Sequence, residues 1–491
     1  MEYSGYYPKV NLVAAPSLES TTGLATASCQ MSDSPRPTPT LVISDLPPTT
    51  LVGIDLFSFN STPNFYGVKD LPPGAHFLYT GTTESFSLRS GEWFYVGDNG
   101  SPNQLARQSH IDIRLRKWDK ALEAVVPVDE NSDAGRQEAM RQRANLGRIW
   151  ASGGFLAYQS QLNARPTTTV GDGANTISYQ HERAPSRGDW QRLSSSISPS
   201  VLDRILGQSD SLDQRWTITS GSSAARDIDY IPGLPTTDMA NSMGVAGERE
   251  KELRFIPVDL KKTWREGAIG RERTEAAQDR SWALGDLIKH GIPAPKLSDV
   301  DSDAAGEEQV LGELQFTFLM VLTLMNFSSL EQWKRLLGLI LTCKSAMKER
   351  EDFFVKVLQL LRLQLCHFED VEGGLFEMDG DDGGNYLKSL LIKFKKSVDE
   401  SEASGEMRVK KEFARLENWV KSKYGWELSR RSIVRRGMLE LEDGEQVEME
   451  LSGAEEEDET GEYAPVIVDL EEPVLAEHPG EDIDMTDTPS Q

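Results

Sequence analysis

Apolar residues recur at two different periods along this chain, and the change of period divides it. Between Leu41 and Val128 they fall in short runs, LVISDLP, GIDLFSF, AHFLYTG, SFSLRSGEWFYV and HIDIRLRKW, separated by Pro, Gly and Asp. Runs of that length bounded by turn residues are strand patterns. From Glu307 to Tyr424 the repeat lengthens to helical spacing, as in Trp333, Leu336, Leu337, Ile340 and Leu341. Helices with such a face must bury it, so the fold class is α+β multidomain: a β-rich N-terminal domain and an all-α C-terminal domain packed helix on helix.

Within the β-rich part, Ser85 to Val96 predicts a hairpin, with Phe86 and Leu88 on one arm, a turn at Ser90-Gly91, and Trp93 and Tyr95 on the other. The helical part predicts about five helices. Leu314 to Met325 is a core helix, because Gln315, Thr317 and Thr323 interrupt a run already too short for a bilayer. The second helix opens at an S-x-x-E capping box, Ser328 and Glu331. A third covers 348–368 and a fourth 386–398, and the fifth carries Phe413, Leu416, Trp419, Val420 and Tyr424 before a stop at Gly425. Upstream, Glu252–Leu260 reads as strand-like and Arg271–His290 as helix-like.

Residues 159–250 are rich in Ser, Thr, Asp and Gly, with one helical patch at 190–206 interrupted by Pro199. They predict a low-complexity linker. The expected organisation is a disordered tail at 1–38, the β-rich domain at 39–158, the linker at 159–250, the helical domain at 251–428 and an acidic disordered tail at 429–491.

Charge is distributed unevenly. The net charge is -26, but Leu441 to Gln491 holds 19 Asp or Glu and no Lys or Arg. The remaining 440 residues carry 52 basic against 59 acidic side chains, a net -7. A nucleic-acid binder concentrates basic surface, since phosphate neutralisation supplies most of its affinity. Direct sequence-specific nucleic-acid binding is therefore not expected, nor is a membrane partner. Cys29, Cys343 and Cys366 form no CxxC pair and predict a reduced intracellular compartment.

The chain shows no GxxxxGK[ST], HExxH, GxSxG or GxGxxG motif. No catalytic residue, cofactor or metal is predicted. The six histidines, His76, His110, His181, His290, His367 and His478, never stand three or four apart, the spacing that sets two ligands on one helix face. Cys366-His367 reads as a core thiol beside a surface imidazole. Asp379 to Asn385, DGDDGGN, has Gly383 and Leu390 where a calcium loop needs oxygen ligands. His76, between Pro72-Pro73-Gly74 and Phe77, could serve an unrecognised hydrolase, but in a strand pattern it reads as a hydrogen-bonded structural residue.

Two blocks carry a family resemblance. Leu41 to Gly81 contains Gly53-Ile54-Asp55, Gly67-Val68-Lys69 and Pro73-Gly74 followed by His76-Phe77. Val310 to Met347 contains Gly312-Glu313-Leu314-Gln315-Phe316 and Trp333-Lys334-Arg335. Together they resemble the A1-alpha2 repressor (AAR-two) family of assembly factors for the U5 small nuclear ribonucleoprotein. The resemblance implies a VHS-like helical domain, a splicing role in cytoplasm and nucleus, and no catalysis. It further implies binding to the large U5 scaffold protein, at RNase H-like and MPN-like domains, together with other U5 components, and a block on premature helicase binding. A generic helical adaptor for membrane traffic is the alternative that the helical domain alone would suggest.

One apolar island interrupts the acidic tail: Ala464, Pro465, Val466, Ile467, Val468, Asp469 and Leu470. A strand former without a local partner can add to a sheet edge of another protein. Glu455 to Glu459 would steer it towards a basic surface. Ser298, Ser302 and Ser452 stand before acidic residues and are candidate phosphorylation sites for release.

Overall fold

The computed structural model describes residues 38–81, 88–97, 112–158, 188–208, 215–224, 252–291, 302–367, 383–400, 408–428, 435–440 and 446–451. Its N-terminal half runs β1 (Thr40–Ser44), β2 (Leu51–Ile54), β3 (Phe57–Asn60), β4 (Gly67–Lys69), β5 (Gly74–Gly81), β6 (Ser90–Val96), β7 (Ile113–Asp119), β8 (Ala124–Pro127), α1 (Asp133–Ala151) and β9 (Phe155–Ala157). Then come α2 (Asp189–Leu193), α3 (Pro199–Leu206), β10 (Trp216–Thr219), α4 (Arg271–Gln278) and α5 (Ser281–Asp286). The helical half is α6 (Ser302–Leu324), α7 (Phe327–Ile340), α8 (Ala346–Glu349), α9 (Glu351–Cys366), α10 (Gly383–Glu400) and α11 (Arg408–Tyr424), followed by β11 (Arg435–Glu440) and β12 (Gln446–Leu451).

The strands make two five-stranded sheets. Sheet A is ordered β8-β7-β1-β4-β9 and is mixed, with β1 parallel to β7 and β4 parallel to β9. Sheet B is ordered β10-β6-β5-β2-β3 and is antiparallel throughout. Leu41, Ile43 and Val68 of sheet A meet Val52, Ile54, Leu78, Phe94 and Val96 of sheet B in one apolar cluster. The other side of sheet A packs Val42 and Leu115 against Ala139 of α1.

Sheet B is covered on both faces. Side chains alternate across a strand, so while Leu78 and Phe94 face sheet A, their neighbours Phe77, Tyr79, Trp93 and Tyr95 join the same cluster as Phe316, Leu319 and Trp333 of the helical half. This is why β5 is buried at all but its first residue, a pattern ordinarily seen in strands covered on both sides.

Several expectations are corrected. The Ser85–Val96 segment has no turn at Ser90-Gly91; both residues lie inside β6, whose hairpin partner is β5, with Tyr79 opposite Gly91. The stretch expected as linker supplies α2, α3 and β10, and β10 is an edge strand of sheet B, so the β-rich unit does not end at 158. Trp190, Leu193, Val201, Leu202, Ile205, Trp216 and Ile218 are all buried, and that apolar content outweighs the polar composition around them. The helical patch at 190–206 is interrupted as expected: α2 ends at Leu193, and Pro199 opens α3 with Ser198 as its N-cap.

Glu252–Leu260 is extended but joins no sheet, because its backbone groups bond elsewhere: Leu253 N to Ser223 O, Arg254 N to Ile205 O and Ile256 N to the Glu313 carboxylate. Arg271–His290 divides into α4, α5 and a wider π-type turn at Leu287–Gly291. The N-cap of α7 is Asn326, whose Oδ1 accepts from Ser329 N at 2.9 Å, while Ser328 lies inside the helix and takes Ala224 N. The third helix is two, α8 and α9, parted at Arg350. Residues 435–440 and 446–451, expected within a disordered tail, pair as an antiparallel hairpin. Gly425 does end α11, at φ 68°, a conformation glycine adopts without a Cβ clash.

Candidate functional site

The motif residues collect at two buried polar sites and along the helical core. The first site is built on Asp55, the opening residue of the two-residue loop between β2 and β3, at φ 58°. Aspartate tolerates that left-handed conformation better than most residues. Its backbone N–H donates to Phe77 O at 2.8 Å, and its Oδ1 accepts from Phe77 N at 2.8 Å, so the side chain continues the β2–β5 ladder past the end of β2. Oδ2 contacts His76 Nδ1 at 2.7 Å and accepts from Tyr158 OH at 2.6 Å. Asp55 and His76 are 0% and 1% exposed.

The second His76 nitrogen, Nε2, stands 2.8 Å from Pro72 O. A carboxylate and a carbonyl can only accept, so both ring nitrogens must donate and the ring is an imidazolium. Burial works against that charge, but the Asp55 charge and hydrogen bond, with the Pro72 carbonyl, outweigh it and raise the pKa above 6.5. Burial and Asp55 also push the Tyr158 phenol upward, which keeps it a donor. With both nitrogens occupied and the ring out of solvent, His76 has no lone pair to receive a substrate proton.

The second site is built on Glu313 in α6, whose side chain is 0% exposed. Its carboxylate accepts from Ile256 N at 3.0 and 3.1 Å and from Gln332 Nε2 at 2.8 Å, and pairs with Arg204. Gln315, two residues on, accepts from Ser196 N at 2.7 Å and donates to Arg192 O and Ser195 Oγ. α6 thus holds the chain on either side of β10 through side chains, where no regular ladder is available. At Gly312 a Cβ would lie 2.5 Å from Ser196 O, so only glycine lets these backbones approach.

The other motif residues are structural supports. A Cβ at Gly53 would lie 1.9 Å from the Tyr79 ring, and Gly67, at φ 140°, would meet Leu41 O at the same distance. Ile54 and Val68 are core, and Lys69 lies over the Trp150 ring at 5.1 Å. Pro73 and Gly74 are exposed at the start of β5. Leu314 and Phe316 are fully buried; Trp333 Nε1 donates to Gln364 Oε1 at 3.0 Å, and Gln364 donates back to Leu314 O. Lys334 pairs with Glu331 and lies over Tyr386, and Arg335 is 3.8 Å from Glu331.

A further buried charge, absent from the motifs, joins the sheets. Glu92 of β6 accepts from Arg116 Nε of β7 at 2.6 Å and pairs with Arg215 just before β10. Burial favours its neutral form, but the two guanidiniums overcome this and hold its pKa below the usual glutamate value. Tyr158, Gln332, Arg204 and Glu92 had no signal in local sequence, since each acts through partners at least 19 positions away.

The Cys366-His367 expectation is reversed: His367 is 5% exposed, 3.5 Å from Asp189, and Cys366 is the half-buried one, because α9 stops at Cys366 and turns the next side chain inward. Leu390 is a buried residue of α10, not a loop position. Ala464–Leu470, Glu455–Glu459, Asp379–Asp382, Ser298 and Ser452 lie outside the described residues. Among the described residues no helix is long and apolar enough to cross a membrane.

A pair of sheets sharing its second face with a helical bundle, locked by polar sites closed to solvent, defines an α+β scaffold of two modules on one core. A family model described as the AAR2 N-terminal domain matches residues 37–207, and one described as the AAR2 C-terminal repeat region matches 255–429. The chain belongs to the AAR2 family. Among similar proteins, each named Protein AAR2 homolog, that of Pongo abelii is 23% identical over 409 residues, covering 79% of this chain and 90% of the relative. The Mus musculus protein is 24% identical over 402 residues with the same coverages, and the Caenorhabditis elegans protein 22% over 398, covering 94% of its own length.

Proposed function

We propose that this chain is a non-catalytic assembly factor for pre-mRNA splicing. It binds the large scaffold protein of the U5 particle, at RNase H-like and MPN-like domains, and delays the particle's helicase until maturation. Membership of the AAR2 family over both modules is the observation that carries this reading. The closure of the Asp55–His76 site supports the absence of chemistry there, since neither ring nitrogen is available. The helical half is read as VHS-like, and the protein as acting in cytoplasm and nucleus.

In this reading the tail segment Ala464–Leu470 is the adhesive element. Three adjacent β-branched residues behind Pro465 favour an extended strand, whose backbone would extend a sheet of the scaffold while Val466 and Val468 enter one set of pockets. Co-purification of the tagged full chain from its own cells tests the partner: recovery of U5 components is expected, and their absence overturns the reading. Deletion of 464–470 tests the element. Scaffold binding should weaken at least tenfold, about 1.4 kcal/mol; unchanged affinity removes the tail from the mechanism.

A further inference from the structure

Sheet B ends in an open edge. Its order, β10-β6-β5-β2-β3, leaves β3 (Phe57–Asn60) outermost. The β2–β3 register sets Ile54 opposite Phe57 and Val52 opposite Phe59, and one step further Ser61 N donates to Thr50 O at 2.8 Å. Hydrogen-bonded and open pairs alternate in an antiparallel ladder, so the N–H and C=O groups of Ser58 and Asn60 point away from β2. These four backbone groups have no partner among the described residues. Other edges are closed by side chains. At β10, Thr219 N donates to Ser222 Oγ at 3.0 Å and Thr219 O accepts from Asn326 Nδ2 at 3.2 Å. At β8, Val125 O accepts from Arg215 at 3.3 Å. Natural edges are commonly blocked by Lys, Pro or a bulge, and Phe57-Ser58-Phe59-Asn60 carries none of them in its regular register.

The same strand leaves apolar surface partly uncovered. Phe57 and Phe59 pack towards the layer between the sheets yet are only half-buried, as is Phe65, whose ring meets Phe59 at 5.1 Å. An extended segment beside β3 would bond Ser58 and Asn60 and lay every second side chain over these rings.

The size of the edge decides what can fill it. Four backbone hydrogen bonds, each of small net worth, correspond to a Kd on the order of 1 mM. A second copy in micromolar solution would leave such an edge empty, and copies of net charge -26 repel one another. A segment tethered to the fold meets an effective concentration on the order of millimolar, which half fills the edge. Residues 452–491 contain one run of three β-branched residues, Val466-Ile467-Val468. In an extended chain Val466, Val468 and Leu470 share one side, and β-branched residues pair well with aromatic ones across strands. Leu428 is buried in the core, and Arg435 lies opposite Leu451 at the base of the β11–β12 hairpin. The steps from 428 to 435 and from 451 to 464 therefore let Ala464 lie up to about 65 Å from Leu428. Reach is no obstacle.

We infer that β3 is the docking edge for the chain's own tail segment, residues 464–470, which adds to sheet B as a sixth strand. The inference concerns the chain by itself and stands whether or not the same segment also pairs with a scaffold protein.

Photo-cross-linking of the purified full chain tests it, with p-benzoylphenylalanine in place of Leu470 and equal parts of unlabelled and 15N-labelled protein. Links within single molecules should concentrate on 57–65. Ser58→Pro should reduce them about fivefold, because it removes an outward N–H while an edge position of this kind accepts proline without loss of the β2 ladder. Ile467→Pro lies outside the described fold, leaves it untouched and should reduce them equally. Links spread over other surfaces, links that neither proline weakens, or no links would each overturn the inference. Links only between differently labelled copies would overturn it in favour of a second copy. No scaffold protein enters this assay, so its failure is distinct from failure of the partner reading.

Discussion

The Trp93 indole of β6 and the Phe316 ring of α6 stand 6.0 Å apart, centroid to centroid, and the same indole stacks on Trp190 at 5.7 Å. One side chain thus touches the β-rich half, the helical half and the chain between them. Its neighbour Phe94 points the other way, into the layer between the sheets. Sheet B is the wall common to both cores, and neither half has a complete apolar interior without it.

Cooperative unfolding of the two halves follows. Wild-type curves in urea, followed by tryptophan fluorescence and by helical circular dichroism, should coincide. Trp93→Ala should cost about 3–5 kcal/mol and separate the two signals. Coincident curves in the variant would show that other contacts suffice to couple them.

Asp55 carries the only acceptors for His76 Nδ1, Tyr158 OH and Phe77 N that the first buried site shows. Removing one partner of a buried ion pair strands the other, at about 3–5 kcal/mol, so Asp55→Ala should destabilise by that amount, measured by denaturant midpoint at neutral pH.

The same site fixes a pH dependence. His76 has a folded pKa raised above the unfolded 6.5, so its contribution is fully present below about 6.5 and is lost as pH rises through the folded value. His76→Gln should flatten the alkaline side of the stability profile. NMR titration of the imidazole should show it protonated at pH 7; a neutral ring there would contradict the double-donor geometry.

Glu92 has the opposite sign. Its folded pKa lies below the unfolded 4.5, so its stabilisation is present above about 4.5 and is lost as pH falls through the folded value. Glu92→Gln should lower stability at neutral pH and shift acid unfolding less steeply than in the wild type, read from thermal midpoints between about pH 3 and 7.

Gly312→Val should act by overpacking against Ser196 O, at a cost of about 1–3 kcal/mol. Glu313→Ala should cost more, because Ile256 N, Gln332 and Arg204 lose their common acceptor. Faster amide exchange confined to 252–260 and 196–206 would distinguish loss of this clamp from global weakening.

Much of this was legible in the residues. The alternating runs became strands, the helical stripes became helices, and Trp333, Leu336, Leu337, Ile340 and Leu341, the stripe read from the sequence, are all buried. His76 is the hydrogen-bonded strand residue its context suggested. The misreadings share a cause. Ser328 and Gly91 were read through neighbours in sequence, whereas their partners are Ala224, and Tyr79 with Phe77. The polar stretch 188–224 resembled a linker because composition averages over residues, while burial depends on the few, such as Trp190 and Trp216, that find an apolar partner.

The order of amino acids by itself determined the period of each element, its apolar face and the separation of an acidic end from a nearly balanced body. These are local quantities, set by side-chain spacing and charge. Only the tertiary structure decided that β10 closes sheet B, that Glu313 satisfies Ile256 N in place of a ladder, and that Asp55 unites His76, Phe77 and Tyr158. Those relations join positions 21 to 129 residues apart, where backbone groups and buried charges must find whichever partner the assembled layers bring within hydrogen-bonding distance.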